Sequence, residues 1–112
     1  MSIPTEHAEQ VAFVQWLARE HPHLRGFAIP NGGLRSKSQA AKLKMEGVSP
    51  GVPDYMIPEL KLFIEFKRTK GGSVSDEQKS WHEYLRKHGY RVEVCRGAIE
   101  AMDVVNRIVL LD

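Results

Sequence analysis

The sequence predicts one α/β domain over residues 1–112, in which helices cover both faces of a mixed β-sheet. Three observations lead to this prediction. Segments with helical caps and spacing alternate along the chain with short apolar segments of alternating polarity. Gly- and Pro-containing turns separate these segments, and neither an internal repeat nor a long linker divides the chain. The composition, 42% hydrophobic and 27% charged residues, is that of a globular protein.

Four helices are predicted, and three of them have a capping signal. Thr5 is a suitable N-cap for the first helix, and acidic residues follow it in the first turns. Ser36 with Gln39, and Ser75 with Gln78, each form a capping box at the start of a helix. The predicted helices cover residues 6–20, 36–46, 75–88 and 98–110.

Four short strands are predicted between the helices, over residues 26–29, 54–57, 61–67 and 90–95. The segment 61–67 has the clearest pattern, because apolar residues recur at every second position. One face of this strand carries Leu62, Ile64 and Phe66, and the other carries Phe63, Glu65 and Lys67. The resulting order is α-β-α-β-β-α-β-α.

Several classes of protein are excluded by the composition. No run of about 18 apolar residues is present, so we expect no membrane-spanning helix. The first residues lack a basic segment followed by an apolar one, so we expect no secretory signal. Cys95 is the only cysteine, which excludes an internal disulfide and an all-cysteine zinc site. We therefore expect a soluble intracellular protein.

Positive charge is concentrated in the middle of the chain. The net charge is +2, yet residues 31–73 contain eight Lys or Arg and four acidic residues, a local charge of +4. A basic segment suits a polyanionic partner such as nucleic acid, although such charges also occur on ordinary solvated surfaces.

A candidate catalytic site is predicted where Asp54, Glu65 and Lys67 come together. Glu65 and Lys67 lie on the same face of one strand, and Asp54 begins the preceding strand of a predicted hairpin. Antiparallel pairing would bring the two carboxylates together, where a hard cation such as Mg²⁺ or Mn²⁺ would relieve their repulsion. The alternative for an isolated Glu-x-Lys pair is a surface ion pair, with Asp54 capping a turn.

The wider pattern resembles the VRR-NUC branch of the PD-(D/E)XK nuclease superfamily, and in particular its small stand-alone bacterial and viral members. The similarity extends from about residue 6 to residue 96. The matching positions are Glu6 and Gln10, residues 30–33, residues 44–47, residues 51–54, residues 64–67 and residues 75–78. This resemblance implies a restriction-endonuclease-like core and hydrolysis of phosphodiester bonds in DNA with Mg²⁺ or Mn²⁺.

The resemblance also implies roles for individual residues. Asp54, Glu65 and the backbone carbonyl of Phe66 would bind the metal ion, and Lys67 would orient the attacking water or stabilise the charge of the transition state. Gln78 would lie beside the cleft, with a purely capping role as the alternative.

A further acidic ligand is expected from the first helix. Glu6 is the better match, because it shares a helical face with Gln10, and Glu9 is its rival. Both acids could instead serve only to stabilise the helix N-terminus. The predicted DNA-binding residues are Asn31, Gly32, Gly33, Arg35, Lys37, Lys42, Lys44, Arg68 and Lys70.

The function expected from this resemblance is that of a four-way (Holliday) junction resolvase acting as a homodimer in the cytoplasm of a bacterial cell, with a viral or prophage origin as an alternative. Two other functions remain open: a flap- or nick-directed nuclease, and a non-catalytic nucleic-acid-binding module. The last helix has apolar residues that either form the dimer interface or cover the sheet. These residues are Ile99, Met102, Val105, Ile108 and Val109.

Overall fold

The computed structural model describes residues 2–30 and 36–111, which form four α-helices and four β-strands. The helices are α1 (Glu6–Glu20), α2 (Lys37–Met45), α3 (Asp76–Lys87) and α4 (Ala98–Leu111). The strands are β1 (Phe27–Ala28), β2 (Tyr55–Ile57), β3 (Leu62–Lys67) and β4 (Arg91–Arg96), and a 3₁₀ turn (Pro58–Leu60) joins β2 to β3. Every predicted helix and strand is confirmed, with bounds that differ by at most two residues.

The strands form one mixed sheet in the order β1-β2-β3-β4. β1 pairs with β2, and β2 with β3, in antiparallel orientation, whereas β3 and β4 are parallel. The parallel pair needs a long crossover connection, which α3 provides. β3 is therefore an interior strand, and the residues that it carries are enclosed from both sides.

One face of the sheet carries the main hydrophobic core beneath α1 and α4. The alternate residues Leu62, Ile64 and Phe66 of β3 are completely buried there. Phe13 of α1 is also fully buried, and its ring lies 5.5 Å from the ring of Phe66. Burial of such side chains is the main source of the fold's stability, and it fixes which face of β3 is turned away from the core.

The opposite face of the sheet is covered by α3, which buries His82 and Leu85. This is the face that carries Glu65 and Lys67. A capping box at Ser75 begins α3, and the N–H of Tyr90 bonds to the carbonyl of Leu85 just after its end, at 3.1 Å. The polar residues of β3 consequently face a helix instead of open solvent.

The last helix is used mainly to cover the sheet. Val105 and Ile108 are buried, and Met102 and Val109 pack against the core. Only Ile99 of the five predicted interface residues is well exposed, at 73%. Four of these five residues therefore cover the sheet, which is the alternative that the sequence left open, because α4 packs against both α1 and β4.

None of the helices in the described parts of the chain is both long enough and apolar enough to cross a membrane. The longest of them, α1, has 15 residues, whereas about 20 apolar residues are needed to cross a bilayer. The helices instead divide between the two faces of the sheet and the exposed α2, which buries no residue.

Gly51 allows the segment before β2 to lie directly against the first turn of α3. A Cβ atom at this position would lie 2.6 Å from the carbonyl carbon of Glu77, and the φ angle of Gly51 is +93°. We expect Gly51→Ala to lower the free energy of unfolding by at least about 2 kcal/mol, as measured by urea denaturation. Gly47 is the matched control, since its φ is +99° but nothing lies within 4 Å. Equal losses in the two variants would contradict the proposed steric contact.

Candidate active site

Asp54 and Glu65 face each other across the β2–β3 hairpin. Tyr55 pairs with Ile64 in this ladder, and the N–H of Asp54 donates to the carbonyl of Ile64 at 3.0 Å. Asp54 therefore lies at the end of this ladder, where its carboxylate is close enough to Glu65 to raise the pKa of Glu65. Oδ2 of Asp54 also accepts a hydrogen bond from the backbone N–H of Phe66 at 2.7 Å. This bond holds the aspartate against the strand that carries the glutamate.

Glu65 is an acidic residue in an almost completely buried position, with 2% of its surface exposed. Burial raises the pKa of Glu65 to about 9, and the nearby carboxylate of Asp54 adds to this effect. The charge of Lys67 lowers this pKa, whereas that of Glu6 raises it. Without a cation, the raised pKa favours the protonated form of Glu65 at neutral pH.

Gln78 links the acid of this site to its base. Its side-chain Nε2 donates to Oε2 of Glu65 at 3.2 Å, and its Oε1 accepts from Nζ of Lys67 at 3.0 Å. The same Oε1 accepts from the backbone N–H of Ser75 at 2.9 Å, as the capping box requires. Gln78 thus makes both the capping contact and the contacts with β3. From the sequence these two roles are alternatives, but the structure combines them.

His82 is the residue of this cluster that sequence reasoning missed. It follows Gln78 by one helical turn, so both side chains lie on the face of α3 that covers the sheet. Nε2 of His82 is 3.5 Å from Oε1 of Glu65. Burial lowers the pKa of His82, and the positive charges of Arg86 and Lys67 lower it further. The i, i+4 spacing from Gln78 was the signal in the sequence that could have identified it.

Glu6 and Glu9, the two candidates in α1, occupy different environments. Oε1 of Glu9 accepts from the backbone N–H of Ala98 at the start of α4, at 3.2 Å. Glu6 is exposed and lines a cleft of about 720 Å³ together with Gln10 and Asp54. Glu9 therefore binds the N-terminus of α4, whereas Glu6 lines the cleft.

The donor set fits a hard divalent cation better than a zinc-type site. Within residues 2–30 and 36–111, no three His, Cys, Asp or Glu side chains are grouped closely enough to enclose a metal ion by themselves. Mg²⁺ does not require such a cage, because it is commonly held by one or two carboxylates and keeps several waters. Asp54 and Glu65 provide two adjacent carboxylates, and a bound cation would replace the proton that the raised pKa of Glu65 retains.

The basic residues predicted to bind DNA lie in two exposed segments. Lys37, Lys42 and Lys44 are on α2, and Arg68 and Lys70 are in the loop that follows β3. The other predicted residues, Asn31, Gly32, Gly33 and Arg35, lie outside the described residues.

The loop after β3 is held in place by a side chain from β4. The guanidinium group of Arg96 donates to the carbonyl oxygens of Arg68, Gly71 and Gly72 at 3.2, 2.7 and 3.1 Å. Because these carbonyl groups span the loop, Arg96 fixes its course between Lys67 and the start of α3. The basic residues of the loop are therefore presented from a defined backbone.

The proton on Glu65 makes the stability of the metal-free protein depend on pH. Folding raises the pKa of Glu65 from 4.5 to about 9, so the free energy of unfolding should fall as the pH rises through this range. The slope should reach about 1.4 kcal/mol per pH unit. We expect this fall in urea denaturation in EDTA between about pH 7 and about pH 9.

The same measurement on Glu65→Gln provides the control, because glutamine has no proton to release. His82, whose pKa is lowered from 6.5, acts in the opposite direction only in the more acidic range. Tyr55 and Cys95, whose pKa values are raised from 10.0 and 9.0, act only in the more alkaline range. A wild-type protein as insensitive to pH as Glu65→Gln would contradict the protonated state of Glu65.

Comparison with known proteins gives one consistent family. The sequence model of the VRR-NUC domain matches residues 4–99, which include every residue of the site described above. A solved structure described as a VRR_NUC domain protein is similar to this chain with a TM-score of 0.81 and 26% sequence identity. The alignment covers 99% of this chain and 93% of the other. A search of curated proteins finds no match.

Proposed function

The chain belongs to the VRR-NUC family, a family of nucleases, and from this premise we propose that it is a metal-dependent DNA endonuclease. The observation that carries the proposal is the joint placement of Asp54, Glu65 and Lys67, with Gln78 connecting the last two. Such a cluster combines adjacent carboxylates with a buried positive charge. Phosphodiester hydrolysis needs both, because charge develops on the phosphate while a water molecule must lose a proton.

Each residue of this cluster has a distinct role in the proposed mechanism. Asp54, Glu65 and the carbonyl of Phe66 would hold Mg²⁺ or Mn²⁺. Glu6, which is not grouped closely with both carboxylates, would act from the wall of the cleft. When bound, the cation would lower the pKa of a water molecule and offset charge on the phosphate. Lys67 would supply a fixed positive charge beside the reacting group. Gln78 would keep the Lys67 ammonium group and the Glu65 carboxylate at a constant separation.

The basic segments supply contacts that are independent of DNA sequence. Lys37, Lys42 and Lys44 project from a helix that buries no residue, so their side chains are free to reach phosphate groups. Arg68 and Lys70 lie just after β3, the strand that carries Glu65 and Lys67. Contacts of this kind position the DNA backbone and carry no information about base sequence. This fits an enzyme that selects DNA by its shape.

The preferred substrate in this proposal is a branched, four-way DNA junction cleaved by a homodimer. A junction requires two opposed cuts, and a two-fold dimer holds two identical clefts at a fixed separation. Most apolar residues of α4 are used in the core, so a dimer interface on this helix would use only its exposed apolar residues. These are Ile99, Leu110 and Leu111.

The test is cleavage of labelled linear, flap, nicked and four-way DNA by the purified protein with Mg²⁺, Mn²⁺ or EDTA. We expect paired, symmetric cuts in the four-way substrate with either metal, and none in EDTA. Preferred cleavage of flaps or nicks would replace the junction assignment but retain the nuclease. Binding of DNA without cleavage in either metal would indicate a non-catalytic module and overturn the proposal.

Light scattering on the same preparation tests the assembly. A mass near twice the 12.7 kDa of the chain at micromolar concentration is expected for the active species. A monomer that still cuts four-way junctions symmetrically would contradict the homodimer.

A further inference from the structure

His82 and Glu65 place two buried polar atoms opposite each other without a hydrogen bond between them. His82 is 4% exposed, and its Nε2 lies 3.5 Å from Oε1 of Glu65. In the parts of the chain that the structure describes, neither atom has a hydrogen-bond partner. Each such atom carries a desolvation penalty of about 1–3 kcal/mol when it is left unpaired. An apolar side chain at position 82 would avoid this penalty, as Leu85 does one turn later.

The two oxygens of Glu65 are treated differently by α3. Oε2 accepts a hydrogen bond from Gln78 at 3.2 Å, whereas Oε1 has no hydrogen-bond partner among the described residues and lies 3.5 Å from Nε2 of His82. A carboxylate oxygen that binds a cation is a strong hydrogen-bond acceptor, and a movement of about 0.5 Å would bring Nε2 of His82 within ordinary hydrogen-bond distance of Oε1.

We infer that His82 is a positioning residue, whose Nε2–H donates to Oε1 of Glu65 when that carboxylate binds a cation. Together with the amide of Gln78 it would fix the plane of the carboxylate from the side of α3. This inference rests on the proposed metal-dependent function, because it assigns His82 a role in preparing Glu65 as a ligand. In this inference His82 acts only through Glu65, and is neither a metal ligand nor a DNA contact.

The matched substitutions are His82→Leu and His82→Gln. Leucine removes the donor but suits the buried position, whereas glutamine places an N–H donor close to the position of Nε2. The control is Leu85→Ala, which weakens packing on the same helix face and leaves the contacts of Glu65 unchanged. Each variant is compared with the wild type for Mn²⁺ binding by calorimetry without DNA, for stability in EDTA, and for kcat and KM.

We expect His82→Leu to weaken Mn²⁺ binding and lower kcat by about 10- to 100-fold, with an unchanged KM for DNA. Its stability in EDTA should equal or exceed that of the wild type. His82→Gln should recover most of the affinity, and Leu85→Ala should lower stability without changing Mn²⁺ affinity. Wild-type Mn²⁺ affinity in His82→Leu, or equal weakening in the leucine and glutamine variants, would overturn the inference.

Two further measurements keep this inference separate from the proposed function and from the folding of the variants. If wild-type protein binds no Mn²⁺, or binds it as well as Glu65→Gln does, the metal site fails and the inference fails with it. If the wild type binds Mn²⁺ more tightly than Glu65→Gln does, and His82→Leu binds it as tightly as the wild type, only the inference about His82 fails. Nitrogen NMR of the wild type should show neutral His82 with its proton on Nε2, and a proton on Nδ1 would overturn the role.

Discussion

Replacing Asp54 or Glu65 with alanine is expected to lower the rate of DNA cleavage by about a thousandfold or more. Each substitution removes one of two adjacent carboxylates, which together would hold the cation. Metal-ion stabilisation of phosphodiester hydrolysis amounts to several kcal/mol, and about 4 kcal/mol corresponds to a thousandfold change in rate. The measurement is single-turnover cleavage of labelled four-way DNA at matched Mg²⁺ concentration.

Two controls separate loss of the cation from loss of structure. Asp54→Asn keeps an oxygen that can accept the N–H of Phe66, now bound by Oδ2 at 2.7 Å, but removes the negative charge. It should be as inactive as Asp54→Ala and better folded. Glu59→Ala removes an exposed acid from the 3₁₀ turn and should cleave normally. Wild-type cleavage by either Asp54→Ala or Glu65→Ala would be incompatible with a nuclease site here.

Lys67→Ala is expected to lower kcat by about 100- to 1000-fold while changing the affinity for DNA little. Its ammonium group is nearly buried and is held by Gln78 at 3.0 Å. In the proposed mechanism it would act on charge that develops at the reacting phosphate, which is a contribution to the transition state. Separate measurement of DNA binding in Ca²⁺ and of turnover in Mg²⁺ distinguishes the two effects.

Lys44→Ala is the comparison variant, because Lys44 is an exposed lysine on α2. It should weaken DNA binding and reduce the salt dependence of that binding by about one counterion, while turnover of bound DNA remains close to normal. Arg35, predicted from the sequence to act in the same way, would be tested with it. If Lys67→Ala and Lys44→Ala weakened binding equally and spared turnover, Lys67 would belong to the general basic surface.

The elements of the fold could be predicted from the sequence because their signals are local. The capping boxes at Ser36 and Ser75 involve residues three positions apart, and both form as predicted. The alternation in β3 likewise follows from the strand geometry of successive residues. Asp54 and Glu65 could be brought together by assuming one antiparallel hairpin, since its short connection leaves few alternatives.

The remaining features depend on packing between distant segments, which local patterns do not report. Glu9 contacts a backbone group 89 residues away, so its difference from Glu6 is not visible in the first helix. Burial of His82 depends on how α3 lies on the sheet. The use of α4 in the core depends on α1 covering its other side. In each case the role of the residue depends on its neighbours in the fold, which its type and its local sequence do not reveal.

The double use of Gln78 gives the active site a dynamic consequence. One amide group both closes the first turn of α3 through Ser75 and joins Lys67 to Glu65. Fraying of the helix end, an ordinary low-energy fluctuation in most proteins, would therefore also remove the bridge between the lysine and the acid. We therefore expect the start of α3 and this bridge to open and close together, so that amide exchange at this helix end reports the fraction of molecules in which the bridge is formed.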